Sequence, residues 1–180
     1  MLIERQRSCL LVIDVQERLL PAMASGNQVV ANGAVLVKAA ARLGVPVLTS
    51  EQYPKGLGPT VPALAALLPE GAAIPKSEFS CAAAPGYVER LKATGREQLI
   101  LTGIEAHVCV LQTALQFRGL GYSVFVVADA VSSRKPESVA LALARMRDAG
   151  AVAVTTEMVL FEWLGRAGTP EFKELSALIR

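Results

Sequence analysis

Short apolar runs rich in Val, Ile and Leu alternate along this chain with longer Ala-rich stretches, and this alternation limits the possible folds more than any other feature. A strand buried on both faces reads as a continuous apolar run, and such strands separated by helical stretches make the crossover units of a parallel sheet. Six runs fit, at residues 9–15, 45–50, 72–74, 98–102, 123–128 and 151–155. Helices are predicted at 28–43, 61–68, 84–94, 108–118 and 136–148, with Gly44, Gly95, Gly119 and Gly150 as their stops. A short apolar element at 158–164 precedes a last helix at 169–179, which Thr-Pro-Glu opens in a good capping order. The expectation is an α/β, three-layer Rossmann-like fold with a six-stranded parallel sheet flanked by helices. At 180 residues, without a linker or repeat, residues 1–180 read as a single domain.

Several classes of chemistry fall away on composition and motif. A net charge of +2 is too balanced for the electrostatic footprint of a nucleic-acid binder. The three cysteines are scattered, with no C-x-x-C spacing, which speaks against a disulfide framework or structural zinc and for a reducing, cytoplasmic setting. No secretory leader is read at the amino terminus, and no stretch approaches the ~20 apolar residues of a membrane span. "GLGPTV" lacks the third glycine of a dinucleotide fingerprint, and no phosphate-cradling P-loop motif occurs. A single histidine rules out multi-histidine metal sites, so neither a metal nor a cofactor is expected.

In open parallel sheets, ligands sit outside the carboxyl ends of the strands, so polar residues just after each apolar run come first. They are Asp14 and Gln16, Glu51 to Tyr53, Lys76 to Ser80, Glu105 to Cys109, and Asp129. Cys109 falls near a predicted helix start, where unpaired N–H groups and the helix dipole favour a thiolate and can hold an oxyanion. A small residue packing the helix on the sheet is the competing explanation. His107 is a poor base for it, because residues two apart on a helix point ~200° away from each other. Asp14, placed after CLLVI, is a carboxylate that needs a partner or a task, and Lys76 follows its own strand in the same way. Together they could take the thiol proton and hold the thiolate, or form a structural ion pair. Asp129 reads as a turn residue ending its strand, and Cys81 as a bystander.

"LLVIDVQ", "PKSEFS" and "GIEAHVCV", in that order, resemble the three signature segments of the isochorismatase-like cysteine hydrolases. The resemblance covers nearly the whole chain and implies an Asp-Lys-Cys triad of Asp14, Lys76 and Cys109. It further implies a non-proline cis peptide between Ile104 and Glu105, and an oxyanion hole from the N–H groups of Glu105 and Cys109. Members with this triad, such as nicotinamidases and N-carbamoyl amidohydrolases, cleave C–N bonds through a thioester. Nicotinamidases usually carry an Asp and two His for a metal after the second strand, where this chain reads "SEQYPKGLGPTVP". That stretch is similar instead to the poorly characterised isochorismatase-domain branch.

The resulting expectation is a cysteine-dependent hydrolase of a small amide or related ester. Gln16, Gln52, Tyr53, Phe79 and His107 are the expected substrate-binding residues: ordinary loop packing competes for Gln52, Tyr53 and Phe79, Gln16 would orient Asp14 or cap the turn, and His107 would stand in the pocket wall. Two alternatives stand beside it: a non-catalytic oligomeric binding protein, and a thiol redox sensor pairing Cys109 with Cys81. The partners expected are a small-molecule substrate and further copies of the chain, since 52% hydrophobic residues is more than one core needs. No nucleic acid or membrane partner is expected.

Overall fold

A computed structural model of the chain describes residues 1–69 and 71–179. Six strands, β1 (Ser8–Ile13), β2 (Val47–Gln52), β3 (Ala73–Lys76), β4 (Gln98–Ile104), β5 (Ser123–Ser132) and β6 (Val152–Val154), form one sheet. Every pairing is parallel, in the order β3-β2-β1-β4-β5-β6. All six residues of β1 are buried, as its unbroken apolar run requires.

The sheet separates two apolar clusters, and strand residues alternate between them. Leu10, Val12, Ile100, Phe125 and Val127 pack on one side, with Cys9, Leu11, Ile13, Leu99, Leu101, Val124 and Val126 on the other. The first side is covered by α1 (Gly26–Leu43) and by two helices near the carboxyl terminus, α7 (Thr156–Leu164) and α8 (Pro170–Ser176). Val29, Leu36 and Val37 of α1 share that core with Trp163 and Leu175. The second side is covered by α4 (Tyr87–Ala93), α5 (Leu111–Gly119) and α6 (Pro136–Asp148), through Leu91, Phe117 and Met146 among others. Two single turns, α2 (Pro54–Leu57) and α3 (Pro62–Ala65), lie between β2 and β3.

Several boundaries depart from the sequence expectation. The helix expected at 61–68 is only the four-residue α3, because Leu67 and Leu68 bond three residues back, to Leu64 and Ala65. The helix expected from 84 begins at Tyr87, after Gly86 takes the left-handed conformation with φ 76°. Gly119 is the last residue of α5 rather than a stop beyond it. The apolar element at 158–164 is the carboxyl-terminal part of α7. The largest difference is β5, expected to end at 128 but continuing to Ser132. Asp129 therefore lies inside a strand, and its Oδ1 accepts bonds from the Thr156 N–H at 2.8 Å and hydroxyl at 3.0 Å. A polar residue that read as a terminator is satisfied by the start of α7.

The order of the strands reverses between β1 and β4, and this switch point opens a crevice at their carboxyl ends. Ile13 lies beside Gly103 there. Gly103 has φ 125°, and a Cβ on it would run into the Ile13 carbonyl. Glycine thus lets β4 approach β1 just before the two strands deliver Asp14 and Glu105.

Candidate active site

Asp14 is the first residue after β1, fully buried, with φ 54° in the left-handed region that non-glycine residues rarely occupy. Lys76 ends β3, two strands away, and its Nζ reaches Asp14 Oδ2 at 2.7 Å with both side chains at 0% exposure. The intervening β2 supplies the rest of the lining. Ser50 Oγ donates to Asp14 Oδ1 at 2.7 Å, and Lys76 Nζ donates to Gln52 Oε1 at 2.6 Å. The carbonyls of Glu78 and Phe79 accept from the same ammonium at 3.1 Å each. Burying two charges costs several kcal/mol per ion unless they are paired and hydrogen-bonded, and here every ammonium donor is taken and each carboxylate oxygen has a donor.

Cys109 enters from β4. The Ile104–Glu105 peptide is cis, and a π-helical turn, Ala106–Val110, follows before α5. Val110 N–H donates to Glu105 O at 3.2 Å, the five-residue closure of such a turn. Cys109 is 4% exposed. The helix-start argument predicts a lowered thiol pKa, and here the structure corrects it: the pKa lies above the ordinary value. Burial is the main cause, followed by the Asp14 charge, while Lys76 pulls the other way. The resting group is a thiol with a carboxylate beside it.

The remaining predicted residues divide by how their polar atoms are spent. Gln16 is fully buried; its amide donates to the carbonyls of Gln52 at 3.0 Å and Gly58 at 2.7 Å, and accepts from Gln52 N–H at 2.8 Å. It braces the loop after β2. Gln52 bonds Lys76 through its oxygen and Ser77 O through its nitrogen at 2.8 Å, so it holds the lysine. Tyr53 and Phe79 are more than half exposed. Tyr53 and Lys76 border an open cavity of about 440 Å³ together with Lys55, Glu78 and Pro85. His107 bonds Ser133 Oγ through Nδ1 at 2.9 Å and does not serve Cys109. With Arg134, Lys135 and Ser138 it borders a second cavity of about 300 Å³. Glu105 is nearly buried, and its Oε2 accepts from Arg134 Nε at 3.0 Å.

Sequence reasoning gives no role to Ser50 or Arg134, and it reads Cys81 only as a bystander or as a redox partner of Cys109. Ser50 was counted as the end of an apolar run, yet it pairs with Ile13 and so flanks Asp14. Cys81 Sγ lies 3.4 Å from Ser50 Oγ. Arg134 follows the true end of β5, and a strand read to Ser132 would have placed it among the first candidates. Among the described residues, no cluster of three or more His, Cys, Asp or Glu could hold a metal ion, and no helix is long and apolar enough to cross a membrane.

The sequence model described as Isochorismatase domain matches residues 8–158. The chain belongs to the isochorismatase family. Isochorismatase domain-containing protein 2A of Mus musculus is 40% identical over 178 residues, covering 97% of this chain and 84% of the mouse protein. The MAR1 ribonuclease structure from Caenorhabditis elegans superposes with a TM-score of 0.93 at 39% identity, covering 99% of this chain and 92% of that one. The YcaC gene product of Escherichia coli, described as an octameric hydrolase of unknown specificity, gives a TM-score of 0.93 at 27% identity, covering 99% and 90%. This isochorismatase-family chain therefore shares the neighbours' six-stranded parallel sheet flanked by helices, and the family supports a hydrolase in general terms.

Proposed function

We propose that the chain is a cysteine-dependent hydrolase of a small amide or related ester, acting through a thioester on Cys109. The observation that carries this reading is the buried Asp14–Lys76 pair set against the Cys109 thiol. Asp14 takes the proton from Sγ, and Lys76 holds the thiolate that forms. Sulfur attacks the carbonyl carbon, and the N–H groups of Glu105 and Cys109 receive the developing oxyanion. The tetrahedral adduct collapses with cleavage of the C–N bond, and Asp14 returns its proton to the leaving amine. Water then adds to the thioester with Asp14 as base, releasing the acid and restoring the thiol. No metal or cofactor enters these steps.

Residues 1–180 are read as one domain that assembles with further copies of itself. The octamer described for the E. coli neighbour supports this. Light scattering that finds a monomer at micromolar concentration removes the assembly part of the proposal. The test of activity is a panel of small amides, ureido compounds and esters, with RNA added because of the worm relative's name, run on wild type and Cys109→Ala in parallel. Turnover of a small amide that disappears in Cys109→Ala is expected. Turnover that survives the substitution, or cleavage of RNA alone, overturns the reading.

A further inference from the structure

We infer that Ser50 and Cys81 form a buried donor chain that holds the Asp14 carboxyl in place beside Cys109 while the proton moves. This rests on the assignment of Cys109 as nucleophile and Asp14 as its base.

The geometry fixes the direction of the chain. A serine hydroxyl has one proton, and Ser50 commits it to Asp14 Oδ1 at 2.7 Å. Its lone pairs remain free to accept, and Cys81 Sγ donates to them at 3.4 Å. Ser50, Cys81 and Asp14 are each 2% exposed or less, so water does not substitute for any member. Cys81 must stay protonated for the chain to run this way, because a thiolate would claim the Ser50 proton and Asp14 would lose it. Burial and the nearby Asp14 charge both hold the Cys81 proton on, against a smaller opposing pull from Lys76. The titratable groups facing this chain are Lys76 from β3, Cys109 from the turn after β4, and Tyr87 from α4. Cys81 is itself tied to the nucleophile's helix, since its N–H donates to Thr113 Oγ1 on α5 at 3.0 Å.

The need for such a chain follows from the proposed proton transfer. In the resting state Asp14 is held at Oδ2 by Lys76 and at Oδ1 by Ser50. Once Asp14 is neutral and Cys109 is a thiolate, the lysine is drawn to sulfur and its grip on the carboxyl weakens. Ser50 is then the remaining anchor from β2, and Cys81 keeps that hydroxyl turned toward Asp14. Both are positioning residues that act through Asp14.

The experiment is alkylation of Cys109 by iodoacetamide in the full chain from pH 5 to pH 9, read by peptide mapping, with the melting temperature as a check on folding. Removing a donor from an ionised carboxylate raises its pKa. Ser50→Ala makes the carboxyl a readier acceptor of the thiol proton, so it is expected to move the point where the acid limb levels off up by roughly one pH unit and to raise labelling above that point about tenfold. Ser50→Thr, which keeps the hydroxyl, and Cys81→Ser, which keeps the donor, should follow wild type. Cys81→Ala should move the limb in the same direction by less. A Ser50→Ala profile that superimposes on wild type, or a loss uniform at all pH values, overturns the inference. If Ser50→Ala does not fold, an unshifted Cys81→Ala profile does the same. Wild type that labels Cys109 no faster than Cys9 removes the nucleophile assignment, and the inference with it; a selective wild type with an unshifted Ser50→Ala removes the inference alone.

Discussion

Cys9 and Cys109 are both buried in the apolar cluster on one side of the sheet, and in both burial pushes the thiol pKa upward. They differ in what stands beside the sulfur. Around Cys9, inside β1, burial pushes the thiol up to about 12 and the charge of Arg96 opposes it only weakly. Around Cys109, at the carboxyl edge, Asp14 and Lys76 oppose each other across the thiol. Burial alone makes a cysteine inert. A buried cysteine can become a nucleophile where a group takes its proton and another holds the charge left behind.

The largest effects should come from separating the two charges. Lys76→Met leaves Asp14 buried without its ion partner and should cost roughly 3–5 kcal/mol of stability in chemical denaturation, along with all turnover. The double variant Asp14→Asn with Lys76→Met should recover most of that stability and none of the activity. An active Lys76→Met protein would erase the contrast with Cys9.

Asp14→Asn alone should divide the chemistry. It removes a negative charge that raises the Cys109 pKa and frees Lys76 for the thiolate, so the pKa falls. Alkylation of Cys109 at pH 7 is then expected to speed up while hydrolysis drops by about 10²–10⁴. Parallel losses in both assays would contradict the role of Asp14 as base. In wild type at pH 7, iodoacetamide followed by peptide mapping should find Cys109 modified at least ~10-fold faster than Cys9.

A smaller effect concerns stability in alkali. The Cys9 pKa is raised on folding from an ordinary 9.0 to about 12, so the folded state keeps a proton that the unfolded chain releases. Its contribution is intact below pH 9 and is lost as the pH climbs toward 12, on the order of 4 kcal/mol at the upper end. Denaturation midpoints across that range should fall less steeply in Cys9→Ala. The smallest effect is expected from Arg134→Gln, which removes an exposed partner of Glu105 and should change stability by less than ~1 kcal/mol.

Much of the fold was legible because the signals are local. The run SCLLVI could only be a strand covered on both faces, and the Thr-Pro-Glu cap of α8 is visible in sequence and present in the structure, with Thr169 Oγ1 accepting from Phe172 N–H at 3.0 Å. Asp14 and Lys76 are candidates from their places directly after apolar runs, Cys109 from its place near a helix start, and the set of three is what the family resemblance implies. The extent of β5 was not legible. Asp129 looks like a terminator until Thr156, 27 residues later, folds back to satisfy it.

The second layer of the site escaped for the same reason. Nothing local distinguishes Ser50 from any serine at the end of a strand, or Gln16 from a loop residue open to a ligand. Their roles depend on register: Ile13 beside Ser50 aims that hydroxyl at Asp14, and Gln16 meets the backbone of Gln52 across the edge of the sheet. The direction of the Cys109 pKa likewise depends on how close Asp14 comes and how little water remains. The sequence by itself determined the layers and the six strands, because periodicity is a property of short segments, and its three motifs imply by resemblance the residues proposed to carry the chemistry. Tertiary structure alone decided which hydrogen bonds fill the charged pair and whether the thiol rests protonated, because desolvation and charge pairing act between groups far apart in the chain.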